Sequence, residues 1–384
     1  MSFVRLSDVA NVAAGQSAPQ GNCFSDKGIP FVRAGSLEPL LLGKSESELE
    51  LVDDDVSKMN RLKLQPAGTI VFAKSGMSCM KGHVYVLRRP CYVVSHLACI
   101  FPKNGNSDYL SYYFKWHKPN QLVKDEAYPS ISLADISNIM VAMHSAEDQA
   151  QIVARLDKLC NLIDLRRQQL EELDLLVKSR FVEMFGEPVA NEMGWNTLPL
   201  EKACVSIVDC PHSTPNYTNE NTGFMCIRTS IVKRNCILWE DIEYISEDEF
   251  LSRIKRKKPQ KGDVIYTREG AILGIAAIID RDCDVALGQR SMLLSVNTDI
   301  CLPEFLSLMM NFDSFLNKVL EGVSGSASPH INVGDIRAYN VIIPPLPLQN
   351  AFADFVHQTD KSKFSVVNGL DLTFSVYIKT LNTI

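Results

Sequence analysis

The chain has 384 residues and a formal net charge of -6, and 46% of its residues are hydrophobic. This length allows more than one hydrophobic core, so we expect two domains. No apolar run reaches the roughly 18 residues of a membrane span, so we expect no membrane anchor or export signal. The 11 cysteines are odd in number and form no Cys-x-x-Cys pair. This usage is typical of reduced core residues in a metal-free cytoplasmic protein.

The chain contains an internal repeat. Four blocks recur in the same order about 195 to 200 residues apart when the sequence is aligned with itself. They are 28–34 with 223–229, 68–76 with 262–270, 109–114 with 305–310, and 129–136 with 329–336. Coincidental similarity between two apolar-rich segments is the alternative, but the shared order favours a duplication.

Each repeat starts with a globular part. Short apolar runs bounded by turn residues predict strands at 70–73, 84–87, 264–267, 276–279 and 339–343. The fold class is therefore α/β, with two related domains. In each copy two glycines follow a strand and a basic residue, which predicts a tight turn where the backbone approaches a neighbouring segment or a phosphate. A turn without any ligand is the alternative.

A long helix follows each globular part. Residues 146–184 contain neither glycine nor proline, and their apolar residues recur at alternating steps of three and four, interrupted by Arg166. This spacing predicts a coiled coil. The second copy keeps the spacing, but its Gly369 weakens the helix by about 1 kcal/mol. Because each apolar edge needs a cover, we expect the helices to pair antiparallel; packing on the globular neighbour is the alternative. The predicted pairing residues are Ile152, Leu156, Leu159, Ile163, Leu170, Leu173 and Val177, and Phe352, Val356, Val366, Leu370 and Tyr377.

Two segments resemble the specificity subunits of type I restriction-modification systems. Phe181-Val-Glu-Met-Phe-Gly-Glu-Pro, with Asn191-Glu-Met-Gly-Trp195 after it, resembles that family's link between the central helix and the second domain. Ile343-Pro-Pro-Leu-Pro-Leu-Gln349 is similar to the proline-rich segment that leads into the family's helices. Leu348 replaces the usual glutamate, and the first copy, at 144–149, lacks the prolines. The resemblance covers essentially the whole chain.

The resemblance implies a domain organisation and a set of partners. It places target-recognition domain 1 at 1–145, a central coiled-coil helix at 146–186, target-recognition domain 2 at 187–344 and a C-terminal coiled-coil helix at 345–384. In this family each recognition domain reads one half of a split target in double-stranded DNA, and the helices set the gap. Two modification subunits hold S-adenosylmethionine and methylate adenine, and restriction subunits cut DNA with ATP. S-adenosylmethionine, ATP and Mg are therefore expected on the partner subunits, with no cofactor on this chain.

Catalytic motifs are absent from the sequence. It contains no Gly-x-x-x-x-Gly-Lys-[Ser/Thr] loop, Gly-x-Ser-x-Gly elbow, His-Glu-x-x-His or adenine-methylating Asn-Pro-Pro-Tyr motif. We therefore predict a non-catalytic specificity subunit. Two alternatives from other classes are a fused DNA methyltransferase or nuclease with an unrecognised motif, and a coiled-coil scaffold joining two domains that bind ligands other than DNA.

Local positive charge partly offsets the acidic total. A dense basic stretch lies at 253–261, and basic residues are spread through the first repeat. Phosphates attract such side chains, and polar side chains at base edges give specificity. The predicted DNA contacts are Arg33, Lys74, Ser75, Lys81 and His83 in the first repeat, and Arg228, Thr229, Lys257, Lys258, Arg268, Glu269, Gln289 and Arg290 in the second. Because the two sets differ, we expect unrelated half-sites.

Overall fold

A computed structural model of the chain describes residues 2–20, 23–103, 106–270, 272–321 and 330–384. Internal contacts divide the chain into two compact units. Unit 1 contains Met1–Arg167 and Asn368–Ile384, and unit 2 contains Gln168–Val367. Pro329, which begins one of the repeat blocks, and Ala271, which lies between the two glycines of the predicted turn in the second copy, are outside the described residues. The domain limits given above remain predictions.

Unit 1 is an α/β structure. Its strands are β1 (Ser2–Arg5), β2 (Ala10–Ala14), β3 (Ile29–Val32), β4 (Leu51–Val52), β5 (Ile70–Ala73), β6 (Val84–Val86), β7 (Tyr92–Val93), β8 (Leu97–Pro102) and β9 (Met140–Met143). Its helices are α1 (Leu6–Val9), α2 (Leu37–Leu41), α3 (Asp54–Met59), α4 (Ser107–Trp116) and α5 (Leu133–Ser137), and α6 (Ala146–Phe185) begins in it. An antiparallel sheet has the order β2-β8-β5-β6, a mixed sheet has the order β4-β3-β7, and β1 pairs antiparallel with β9.

Unit 2 is also α/β. Its strands are β10 (Thr197–Pro199), β11 (Cys204–Asp209), β12 (Tyr217–Thr218), β13 (Met225–Ile227), β14 (Val232–Lys233), β15 (Cys236–Ile237), β16 (Glu243–Ile245), β17 (Val264–Thr267), β18 (Ala276–Ile278), β19 (Val285–Leu287), β20 (Ser291–Val296) and β21 (Asn340–Ile342). Its helices are α7 (Leu200–Ala203), α8 (Glu247–Arg253), α9 (Pro303–Met310), α10 (Asp313–Glu321) and α11 (Val333–Ala338), and α12 (Leu346–Leu381) begins in it. The sheets have the orders β11-β20-β17-β18, β12-β16-β13-β19, β10-β21 and β14-β15.

The two units repeat one topology. The sheet β2-β8-β5-β6 of unit 1 has the strand order and directions of β11-β20-β17-β18 in unit 2. The parallel pair β3–β7 corresponds to β13–β19, and the antiparallel pair β1–β9 corresponds to β10–β21. The predicted α/β fold class and the predicted duplication are confirmed.

One inner strand of the sheet β2-β8-β5-β6, and the equivalent strand of β11-β20-β17-β18, is fully buried. Every residue of β5 and of β17 is buried, because both faces of the strand are covered. A strand buried on both sides carries a continuous apolar run instead of an alternating pattern. This is why both strands were recognisable in the sequence.

In unit 1 the beginning of α6 packs antiparallel against the end of α12. His144, just before α6, has Nε2 2.8 Å from the carbonyl oxygen of Thr383, and the Arg167 guanidinium lies 5.6 Å from the centre of the Phe374 ring. The predicted flaw at Gly369 has a packing reason: a Cβ there would lie 2.2 Å from Nη1 of Arg166. The glycine therefore makes room for the polar interruption in the other helix.

In unit 2 the end of α6 packs antiparallel against the beginning of α12. The Lys363 ammonium lies 2.6 Å from the Asp174 carboxylate, and the Phe352 ring centre lies 5.5 Å from those of Phe181 and Phe185. These aromatic rings also join the core of unit 2. The predicted antiparallel pairing is thus confirmed, and the helix ends pack on their globular neighbour as well.

The predicted pairing residues all lose exposure to solvent. The buried ones are Leu156, Ile163, Val177, Phe352 and Val366. The half-buried ones are Ile152, Leu159, Leu170, Leu173, Val356, Leu370 and Tyr377. Among the described residues, no helix has the length and apolar character that crossing a membrane requires.

Candidate nucleic-acid interface

The end of β5 in unit 1 brings polar residues from three segments together. The amide of Lys74 donates to the carbonyl of His96 at 2.9 Å, and the amide of Ile131 donates to the carbonyl of Lys74 at 2.7 Å. Ser75 Oγ lies 2.8 Å from Nδ1 of His96, and Ser75 forms an antiparallel bridge with Ser130. His96 and Ser130 are exposed, so this strand end forms part of the surface.

The end of β17 in unit 2 has the same backbone arrangement. The amide of Arg268 donates to the carbonyl of Arg290 at 3.0 Å, and the amide of Ile331 donates to the carbonyl of Arg268 at 2.9 Å. Glu269 bridges His330, as Ser75 bridges Ser130. Arg268, Glu269 and Arg290 therefore stand where Lys74, Ser75 and His96 stand in unit 1. We call these two places the strand-end sites.

Arg268 is a buried member of the unit 2 strand-end site. Its side chain is 6% exposed and forms two bonds with Asp209, from Nε at 2.9 Å and from Nη2 at 3.2 Å. Nη2 also lies 2.7 Å from the Glu269 carboxylate, and Asp209 lies 3.2 Å from Nε2 of His212. Arg268 thus holds Asp209 and Glu269 in place, while the exposed His212 lies at the surface.

Arg290 and Gln289 lie beside Arg268. Arg290 is exposed and has a φ of 75°, a left-handed conformation that arginine rarely adopts. Such backbone strain clusters at functional sites, where surrounding contacts enforce it. The half-buried Gln289 accepts a hydrogen bond from Thr214 at 3.3 Å. The exposed Arg290 side chain runs alongside Gly270, so this site carries an accessible cation.

Arg33 and Arg228 form a second pair of equivalent positions. Arg33 follows β3, forms a 2.5 Å ion pair with Glu50 and lies 5.0 Å from the centre of the Phe24 ring. Arg228 follows β13, pairs with a glutamate at 3.0 Å and lies 5.4 Å from the centre of a tyrosine ring. The partners of Arg228 are Glu243 and Tyr217, and Thr229 is half-buried next to it. Both guanidiniums are therefore oriented by a carboxylate and an aromatic ring.

The remaining predicted contacts of unit 1 lie around α2. The Lys81 ammonium bonds to the Glu38 carboxylate at 2.6 Å, and this hydrogen bond lowers the pKa of Glu38. His83 is half-buried nearby and has a smaller effect in the same direction. Lys81 is about half exposed, so its charge remains accessible to a phosphate.

The basic stretch of unit 2 is divided between the interior and the surface. Arg253 has a 2% exposed side chain, bonded to Glu249 at 2.7 Å and to the carbonyl of Ser213 at 2.9 Å. Lys257 bonds to Ser295 and lies 3.5 Å from Asp263, and Lys258 pairs with Asp284. The exposed cations of the run are Lys255, Arg256, Lys258 and Lys261.

Sequence reasoning missed three exposed residues near the strand-end sites. The alignment offset that places Lys74 over Arg268 also places His96 over Arg290, so extending the repeat would have found His96. Tyr128 is 82% exposed and precedes the segment that pairs with Ser75, and Met77 is 70% exposed on the other side of that pairing. No sequence pattern marks these two, because their exposure depends on the tertiary contacts of the loop.

The described part of the chain contains no group of three or more His, Cys, Asp or Glu side chains arranged to hold a metal ion. The strand-end sites offer hydrogen-bond donors and acceptors at the surface, together with cations. Such an arrangement can bind phosphates and the edges of bases.

Comparison with known proteins identifies a family whose description names DNA specificity. A family model described as the type I restriction modification DNA specificity domain matches residues 1–175 and 210–371. The MjaIX type I restriction enzyme specificity subunit of Methanocaldococcus jannaschii is 24% identical, over 92% of this chain and 85% of that protein. The EcoKI type I restriction enzyme specificity subunit of Escherichia coli K12 is 21% identical, over 91% of this chain and 81% of that protein.

Solved structures share the fold. The S subunit of a type I restriction-modification system from M. genitalium is 12% identical, with a TM-score of 0.55, over 99% of this chain and 94% of that one. A chain from work on complex assembly and conformational transition of the type I R-M system is 17% identical, with a TM-score of 0.58, over 99% of this chain and 96% of that one.

Proposed function

Because the chain belongs to the type I restriction-modification DNA specificity domain family, we propose that it reads a two-part DNA target for subunits that methylate or cut the DNA. One observation carries this proposal. The two units share a backbone arrangement at their strand-end sites but place different side chains on it, with Ser75 and His96 in unit 1 and Glu269 and Arg290 in unit 2. A shared framework with different polar side chains suits a reader of two dissimilar half-sites.

The chemistry of each strand-end site supports different base preferences. Glu269 is 27% exposed, and a carboxylate accepts hydrogen bonds only, so it suits the exocyclic amino group of cytosine or adenine. Arg290 is a donor and suits guanine O6 and N7. Unit 1 has Lys74 as a donor there and no carboxylate in the equivalent position. We therefore propose unrelated half-sites, read by the predicted contacts together with His96 and Tyr128.

Apolar residues exposed on the long helices support docking of two modification subunits, one on each unit. In unit 1 these residues are Leu162, Leu165 and Leu372, which are 45%, 60% and 68% exposed. In unit 2 they are Leu175, Leu176 and Phe364, which are 61%, 48% and 68% exposed. Contiguous exposed apolar surface marks protein interfaces, and we propose these side chains as part of such a surface in each unit. Leu165→Glu and Phe364→Glu should each reduce the copurified modification subunit by about half, whereas Glu172→Lys, an exposed polar control on α6, should leave it unchanged.

The acidic net charge fits this division of work. Much of the phosphate contact would come from the modification and restriction subunits, which would also hold S-adenosylmethionine, ATP and Mg. We propose that this chain contributes recognition without catalysis, in the cytoplasm. Purified chain, incubated with DNA and labelled S-adenosylmethionine, should transfer no methyl group. Transfer without a partner would support the fused methyltransferase instead.

The direct experiment is a map of adenine methylation in a host that lacks it. The chain and its modification subunit are expressed together and separately, and the genome is read by single-molecule sequencing. We expect a bipartite motif only when both are present. Methylation that does not require this chain would support the scaffold alternative. A purified chain that brings no modification subunit with it would support the same alternative.

A further inference from the structure

A buried glutamine lies in the first turn of each long helix. Gln149 in α6 is 3% exposed and Gln349 in α12 is 0% exposed. Glutamine is mostly found at the surface, and a buried amide needs partners for its polar atoms. The partners of these two amides show what each side chain connects.

In unit 2 the amide of Gln349 joins three parts of the backbone. Its Oε1 accepts a hydrogen bond from the amide of Leu302 at 2.8 Å, and its Nε2 donates to the carbonyls of Ile300 at 3.1 Å and Pro344 at 2.7 Å. Leu302 is the N-cap of α9, and Pro344 lies between β21 and α12. One planar group thus ties the start of α12 to the start of α9 and to the exit from β21.

In unit 1 the amide of Gln149 makes the corresponding contacts. Its Oε1 accepts from the amide of Asn106 at 3.4 Å, and its Nε2 donates to the carbonyl of His144 at 2.9 Å. Asn106 is the N-cap of α4, which the sequence repeat aligns with α9. The same contact therefore recurs in two units whose strand-end residues differ.

The position of these contacts gives them a mechanical effect. Helix α12 has 36 residues, so at 1.5 Å per residue it is about 54 Å long. A tilt of about 5° at its first turn would displace its far end by about 5 Å, more than the 3.4 Å between base pairs. Fixing the first turn therefore holds the far end of the helix to within about one base-pair step.

We propose that Gln149 and Gln349 are positioning residues that fix the angle between each globular part and its long helix, and thereby restrict the gap between the two half-sites. This inference rests on the proposed reading of a bipartite target. It concerns the spacing of the half-sites, whereas the strand-end sites concern their base sequence.

The test replaces each glutamine by leucine, which has a similar volume, remains compatible with burial and removes all the hydrogen bonds. The full-length variants are expressed with the modification subunit, and the distribution of gap lengths among methylated sites is measured by single-molecule sequencing. Gln349→Leu should methylate the same half-sites at gaps that differ by one base pair or more from the wild-type gap. Gln149→Leu should change the distribution of gap lengths less than Gln349→Leu does, because Gln149 makes fewer and longer hydrogen bonds.

Gln358→Leu is the matched control, because Gln358 is an exposed glutamine of the same helix. It should keep the wild-type gap. A second readout does not depend on DNA: amide exchange of residues 300–302, measured by mass spectrometry, should become about tenfold faster or more in Gln349→Leu and stay unchanged in Gln358→Leu.

Three outcomes separate the explanations. A folded variant that methylates less but at one unchanged gap would overturn the inference and leave the glutamines a structural role only. If Gln349→Leu does not assemble with the modification subunit, Gln149→Leu is tested instead. An unchanged gap in that variant would overturn the inference. Absence of bipartite methylation by the wild-type complex would overturn the proposed function, and this inference with it.

Discussion

Removal of Asp209 tests how unit 2 holds its strand-end site. In Asp209→Ala, the buried Arg268 loses bonds of 2.9 and 3.2 Å but keeps its 2.7 Å contact with Glu269. Leaving a buried charge uncompensated costs about 3–5 kcal/mol. Because one carboxylate remains, we expect the lower end of that range, about 3 kcal/mol, in the free energy of unfolding of unit 2.

Urea unfolding at pH 7, followed by tryptophan fluorescence, measures this change, since two of the three tryptophans, Trp195 and Trp239, belong to unit 2. Asp280→Ala is the control: its ion pair with Arg281 is more than half exposed on both sides, so its loss should cost at most about 0.5 kcal/mol. Asp209→Leu combined with Arg268→Met should recover most of the stability, because an apolar pair leaves no buried charge. Equal effects of Asp209→Ala and Asp280→Ala would refute the buried ion pair.

Three further predictions concern spacing, base preference and thiol chemistry. Matched insertions of seven residues in α6 and α12 should lengthen the gap between half-sites by about three base pairs, since seven residues span about 10.5 Å and a base pair about 3.4 Å; an unchanged gap in the methylome would count against the helices as spacers. Glu269→Gln should alter the preferred base at one position of one half-site, whereas the exposed Glu240→Gln should not, and a change in both half-sites would contradict the separate reading. Burial raises the pKa of Cys91, Cys99 and Cys226 from 9.0 to about 12, so the folded state favours their protonated forms; this stabilisation is complete below pH 9 and declines as the pH rises toward 12. Native protein at pH 8 should therefore react with Ellman's reagent at the exposed Cys236 and not at these three thiols, and fast labelling of Cys99 would contradict the burial.

The framework was predictable because its signals are local or periodic. Strands β5 and β17 are continuous apolar runs bounded by turns, and α6 contains no residue that breaks a helix. The order of the repeat blocks predicted the duplication, and the spacing of apolar residues predicted the pairing of the two long helices. Each of these features can be read without knowing which distant residues meet.

The candidate site was less predictable because its electrostatics depend on distant partners. Arg268 was predicted as a DNA contact from its place after a strand, but its partner Asp209 lies 59 residues away and holds it inside unit 2. Arg253 appears in a basic run, yet its side chain is buried, and besides Glu249 on its own helix it bonds to Ser213, 40 residues away. Nothing in the local sequence distinguishes these arginines from exposed ones.

Gly369 illustrates the same limit within a predictable element. The sequence indicated a defect in the helix, whereas the structure places the Arg166 guanidinium against it. The prediction located the residue correctly and could not supply the reason, since the reason lies on the other helix.

The central claim is that two separate readers occupy one duplicated framework. The most direct measurement is the adenine methylome of a chain in which residues 187–344 are replaced by a second copy of 1–145, expressed with the modification subunit. We predict a symmetric target, in which the half-site read by unit 1 is followed, after the gap, by its own inverted complement. Methylation of the original asymmetric target by this chimera would contradict the account.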